Sequence, residues 1–256
     1  MTWLAVWLIG VGLADLVRAG SRPVAGRWAV VVGAGSVALL ALLAGITAPV
    51  DLVVLAASLL PLGLWVRFSA QSVATGTGHW PALASLGGGA AMLLALGGWA
   101  TEAAGALGTW LAWADLPVVG PGSSPAHVLL VTGLFLVNLA TANLVVRLVL
   151  LGVGAMRPAR PLEADPGPQP SDQLRGGRLL GPMERVLIIG LGLAGQLTAA
   201  GLVIAAKGLI RFPELQAKRD DRSSVDGVGI DAVTEYFLVG SFVSWLVALT
   251  SLALTR

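Results

Sequence analysis

His127–Met156 reads HVLLVTGLFLVNLATANLVVRLVLLGVGAM, thirty residues in which Arg147 is the one fully charged side chain. Crossing the roughly 30 Å hydrocarbon layer of a bilayer takes about 20 apolar residues in helical form, so this run is long enough with margin. Outward from it lie six further runs: Trp3 to about Val17, Trp28–Ile46, Leu52–Val66, Pro81–Trp99, Met183–Ala206 and Ala232–Leu254. They are continuous, whereas the strands of a membrane barrel alternate in polarity. The expected fold is therefore all-α, a polytopic transmembrane helical bundle of about seven spans. The first and third runs are short, which makes six the alternative count.

Composition agrees. Of 256 residues 56% are hydrophobic and 12% are charged, with no Cys, whereas a soluble domain carries about 25% charged residues. A soluble enzyme is excluded, and so is a disordered chain, which needs low hydrophobicity. Without Cys there is no disulfide, thiol nucleophile or thiolate metal site. The 16 Lys and Arg nearly balance 14 Asp and Glu, and all the cations but Arg147 lie outside the apolar runs or at their ends. They report membrane topology rather than nucleic-acid affinity, and the partner they imply is the lipid bilayer.

Lys and Arg in short loops mark the cytoplasmic side. Arg18, Arg22 and Arg27 follow the first run, which puts the N-terminus outside and, with seven spans, the C-terminus inside. Met1-Thr2 carries no basic side chain and the cations come after the run, the reverse of a signal peptide. Arg67, Arg157, Arg160, Arg175 and Arg178 fall on the same inner side, and the segment 100–125 has Glu102 and Asp115 but no cation. One loop dissents: Lys207, Arg211, Lys218, Arg219 and Arg222 are expected outside, offset by Glu214, Asp220, Asp221 and Asp226. Seven of nine Trp sit near run ends, where indoles favour the headgroup zone. Gly108–Leu116, with Trp110 and Trp113, reads as a short helix lying flat at the outer interface.

Between Met156 and Leu180 five Pro are mixed with Gly, Glu and Asp, a composition that cannot order itself by burial. The expected organisation is a five-span part at 1–156, a flexible cytoplasmic linker at 157–180 and a two-span hairpin at 181–256. The five-plus-two split argues against a simple inverted-repeat transporter. Ser85, Gly89, Gly97, Thr101 and Gly105 fall on multiples of four, and Gly195 with Ala199 and Gly201 with Ala205 repeat that spacing. Such rows let helices approach closely in lipid, either within the bundle or toward a second copy or a partner membrane protein.

An ionisable group inside a span costs about 2.5 to 3.5 kcal/mol on insertion scales and calls for a partner or a purpose. Asp15 lies three residues before Arg18 on one helical face, suited to a local ion pair or to an ion site. In the run at 127–156, Asn138 and Thr141 share one face while Asn143 and Arg147 share roughly the opposite one. These serve interhelical bonding or line a path, with Arg147 snorkelling inward. The densest charge pattern is Glu184 with Arg185, then Lys207 and Arg211, then Asp231, Glu235 and Tyr236. Twenty-three residues of helix from Glu184 to Lys207 span about 34 Å. These charges are thus expected at opposite surfaces, with Lys207 and Arg211 cross-paired to Asp231 and Glu235 at the outer one.

Catalytic templates mostly fail. His79 and His127 are expected on opposite sides, against a His-based zinc site, and no metal or cofactor is implied. There is no phosphate loop or nucleophile elbow. Gly190-x-Gly192-x-x-Gly195 lacks the strand-turn-helix setting of a dinucleotide site.

Gly177-Arg-Leu-Leu-Gly-Pro-Met-Glu-Arg185, Ala205-Ala-Lys-Gly-Leu-Ile-Arg-Phe212 and Glu235-Tyr-Phe-Leu-Val-Gly-Ser241 together resemble the C-terminal signature of a bacterial integral-membrane family known only as a domain of unknown function. Leu13-Ala-Asp-Leu-Val17 weakly resembles that family's N-terminal segment, which is followed by histidines that this chain lacks between Met1 and Gly78. The resemblance implies a multi-pass protein of a bacterial cytoplasmic membrane and no reaction. The leading functional expectation is a non-enzymatic channel-like, transport or membrane-effector component. The rivals are a membrane-embedded enzyme acting on lipid or isoprenoid head groups, with Glu184, Asp15 or Glu235 as acid or base, and an assembly or scaffold protein.

Overall fold

The structure, a computed structural model, describes residues 1–19, 26–114, 124–158, 177–220 and 230–255, without the side chains of 177–179, 210–220 and 230–232. The described elements are helices: α1 (Thr2–Ala19), α2 (Gly26–Leu43), α3 (Pro49–Thr75), α4 (His79–Leu96), α5 (Gly105–Ala114), α6 (Pro125–Gly152), α7 (Gly177–Leu193), α8 (Leu197–Asp220) and α9 (Ile230–Leu254). Six are long and apolar enough to cross a membrane: α1, α2, α3, α4 with the 3₁₀ turn after it, α6 and α9. The protein is an all-helical membrane protein. Two compact units divide the chain, one of Met1–Ala70 with Trp80–Thr141, the other of Gln71–His79 with Ala142–Leu254.

In the first unit α1 is central, although its run is among the shortest: every residue from Thr2 to Gly12 is buried. Glycines make this possible by letting backbones close up. A Cβ at Gly12 would stand 2.6 Å from Leu136 Cβ on α6, and one at Gly33 on α2 would stand 2.9 Å from the Gly10 carbonyl oxygen. Gly89 of α4 receives the Trp7 ring, with Trp7 Cζ2 at 2.8 Å from a Cβ built there. That member of the small-residue row therefore serves packing inside the unit. Helix α6 starts where Ser124 Oγ accepts the His127 N–H at 3.3 Å and Pro125 occupies the first turn, a position where a missing N–H costs nothing. Its turn Val137–Thr141 is π-helical, and it buries Asn138 and Thr141 fully.

In the second unit the expected single span Met183–Ala206 is broken. After Leu193 the chain turns at Gly195, φ 75°. Gly195 N–H donates to Gly192 O at 3.1 Å and Gln196 N–H to Leu191 O at 2.8 Å. These are the paired bonds of a Schellman C-cap, which needs a left-handed residue that only Gly adopts without cost. Gln196 O then accepts Ala200 N–H to start α8. Ile188, Ala200 and Ala248 form the seam where α7 and α8 pack on α9, with Leu191, Val203, Ile204 and Trp245 against it.

Candidate functional site

Because the chain reverses at Gly195, Glu184 and Lys207 lie side by side rather than at opposite ends of one helix. Lys207 Nζ donates to Glu184 Oε2 at 2.6 Å. This overturns the expected separation of about 34 Å, and Lys207 takes Glu184 as its partner in place of Glu235. The physical reason is the Gly195 turn, which folds both arms along one another.

The carboxylate's other oxygen, Oε1, accepts Trp245 Nε1–H from α9 at 3.3 Å. Lys207 Nζ stands 5.9 Å from the centroid of the same indole, within reach of a cation–π attraction. Next in sequence, Arg185 is 1% exposed. Its Nη1 donates to Ser244 Oγ at 2.8 Å, and its Nη2 to Asn143 Oδ1 on α6 at 2.5 Å. Four helices thus contribute: α6 through Asn143, α7 through Glu184 and Arg185, α8 through Lys207, α9 through Ser244 and Trp245.

Register sets the depth. Contacts of α7 with α9 join Glu184 to Trp245, Arg185 to Ser244 and Gly192 to Leu252, so the two run parallel at an almost constant offset. Asn143 is nine residues before Gly152, the end of α6. Trp245 is nine residues before Leu254, the end of α9. At 1.5 Å per residue the cluster stands about 14 Å of helix from each end. The turn at Gly195 lies level with the end of α9, since Gly192 packs on Leu252.

The remaining candidates fall elsewhere. Glu235 is exposed and Tyr236 half-buried, about 15 Å of helix below Trp245. Arg211 is one turn beyond Lys207 in α8 and Asp231 opens α9, but both side chains lie outside those described. Asn138 is 0% exposed in the first unit, where its Nδ2 donates to Leu134 O at 2.9 Å. Arg147 is half-buried on α6. Among the described residues no group of three His, Asp or Glu stands ready for a metal ion.

Asp15 belongs to a different arrangement, a ladder of polar contacts between α1 and α3. Trp3 Nε1–H donates to Asp51 Oδ1 at 2.7 Å, Trp7 Nε1–H to Ser58 O at 2.9 Å and Trp65 Nε1–H to Asp15 Oδ2 at 2.9 Å. Arg18 pairs with Asp15 and reaches Val66 O and Ser69 Oγ, both at 3.0 Å. Partners differ by 48 to 51 in number throughout, so α1 and α3 run parallel. Asp51 also accepts from Thr101 Oγ1 at 2.7 Å and from the Thr101 and Ala48 N–H groups. All its lone pairs are engaged. Sequence reading alone misses Asp51, Ser244 and the role of Trp245. Asp51 sits at a helix start and reads as an ordinary cap, and Ser244 is one small residue among many.

Comparison with known protein families, with curated proteins and with solved structures finds no match.

Proposed function

We propose that this protein moves a charged species across a bilayer, and that Glu184, Arg185, Lys207, Asn143, Ser244 and Trp245 form the site it passes or binds. One observation carries the reading: three charged side chains are gathered at a level about 14 Å of helix from the end of α6 on one side and from the end of α9 on the other. The two distances together match the roughly 30 Å hydrocarbon layer, so the cluster sits near its middle. Charges at that depth are costly and mark ion and solute pathways in membrane proteins. A bridge kept only to fasten helices is a poor use of such charges, since an apolar replacement of similar volume is often as stable.

The same reading proposes a bacterial cytoplasmic membrane as the location, in keeping with the resemblance of 177–185, 205–212 and 235–241 to a bacterial membrane family, which we retain as proposed kinship. The N-terminus faces outward, as Arg18, Arg22 and Arg27 suggest. With α7 and α8 going in and coming back, the number of crossings is even, and the C-terminus is proposed outside as well. The inner placement expected from seven spans rested on an odd count.

The test is flux in proteoliposomes made with the full chain. Dyes for K⁺, Na⁺, Cl⁻ and pH report which ion moves. Glu184→Gln and Lys207→Met are each expected to abolish most of the flux while the helix content by circular dichroism is kept. No flux of any probe, together with turnover of a lipid substrate by the same preparation, would replace transport by head-group chemistry.

A further inference from the structure

We propose that Glu184 is a proton-binding site, and that taking up a proton there releases Lys207 and unlocks α7 from α8. The inference deepens the transport reading by naming the proton as the ligand of the cluster.

Among the described side chains of this unit the acids are Glu184 and Glu235, and Glu235 is exposed about 15 Å away along α9. Glu184 is 10% exposed and lies one helical turn before Ile188, which is fully buried in the apolar seam of α7, α8 and α9. A proton that enters this region of the described bundle therefore has one carboxylate to join. The charged groups around it are Lys207 from α8, Arg185 beside it on α7 and turned to Ser244 and Asn143, and Arg147 one turn beyond Asn143 on α6. From α9 the neighbours are the neutral Ser244 and Trp245.

A proton from water forms an O–H bond at Oε2, with no change of oxidation state, and the carboxylate's charge goes from −1 to 0. Nothing then holds Lys207 electrostatically at 2.6 Å. Lys207 is the more exposed partner, 24% against 10%, and its long stem lets it move along the helix surface. The Trp245 ring, already 5.9 Å from Nζ, offers it a second seat by cation–π attraction. The indole N–H keeps Oε1 in place meanwhile, so the acid stays where it was while the cation leaves. The turn at Gly195 and the seam of Ile188 with Ala200 close the hairpin without help from the ion pair, so opening the pair frees the arms beyond that seam without unfolding their tip.

Infrared difference spectra of the full chain in phosphatidylcholine–phosphatidylglycerol vesicles, taken across pH, test this. A carboxylic-acid carbonyl band is expected in the wild type, lost in Glu184→Gln and kept in Glu235→Gln. Should the Gln variant fail to fold, a band that shifts with isotope-labelled glutamate and moves again in Trp245→Phe, which lacks the donor to Oε1, gives the same assignment. Identical spectra for wild type and Glu184→Gln over the whole range where the fold persists overturn the proposal, whatever ions are carried. A Glu184 band without flux of protons down a pH gradient keeps the proton site and removes the transport reading. Both together, with proton flux lost in Glu184→Gln, support the two.

Discussion

Asp15 shows what a buried charge on this protein requires. It is 1% exposed, and its two oxygens are served by Arg18 and by the Trp65 indole. Arg18 is itself held by Val66 O and Ser69 Oγ. Removing one partner of a buried pair leaves the other charge uncompensated, at a cost of about 3 kcal/mol or more, whereas replacing both with apolar groups is often near neutral. Asp15→Asn is therefore expected to lower the thermal midpoint in detergent clearly. Asp15→Leu combined with Arg18→Leu recovers most of the loss. A single mutant as stable as the parent would make the pair incidental. The i, i+3 spacing made this ion pair legible in the sequence, because neighbours on one helical face meet. Trp65, fifty residues away, was not legible, since nothing in a lone sequence fixes which helices run side by side.

Helix packing here depends on which glycines face another backbone. At Gly12 an added Cβ meets Leu136 Cβ at 2.6 Å and Val137 N at 3.3 Å, so the obstacle includes main chain. At Gly87 and Gly88 nothing lies within 4 Å. Forcing extra volume into a packed contact costs about 1 to 3 kcal/mol. Gly12→Leu is thus expected to destabilise the first unit by at least that much, while Gly87→Leu leaves the melting curve by circular dichroism unchanged. Equal effects would mean that α1 and α6 are not held by this contact. The long helices could be read from apolar runs because length and hydropathy decide them. The reversal at Gly195 could not, because Val186–Ala206 carries no charge and reads as one apolar run interrupted by Gln196 and Thr198 alone. Gly195 is one of 34 glycines, and only its φ and its two capping bonds distinguish a turn from a packing contact. Hidden with it was the meeting of Glu184 and Lys207, which that reversal alone brings about.

At the scale of the whole molecule the hairpin changes how charge is shared between the two sides of a membrane. A single crossing at 183–206 would leave Lys207, Arg211, Lys218, Arg219 and Arg222 outside, against the bias of short loops toward inner cations. On the proposed topology α8 returns beside α7 and its last turn, with Lys218 and Arg219, ends on the side where α7 begins, the side of Arg157 and Arg178, while Lys207 stays at mid-membrane with Glu184. An inner excess of Lys and Arg in the loops is what an insertion machinery that reads those residues would produce. Since the chain has no Cys, single introduced thiols report sidedness cleanly. Val153, just past α6, and Gln196, at the hairpin tip, are both exposed. Ala217 lies in the last turn of α8. With an impermeant maleimide on intact cells, Gln196→Cys is expected to label from outside. Val153→Cys and Ala217→Cys are expected to label only once the membrane is opened. If Ala217→Cys labels from outside while Val153→Cys does not, the chain crosses once between them, the hairpin fails, and the mid-membrane meeting of Glu184 with Lys207 fails with it.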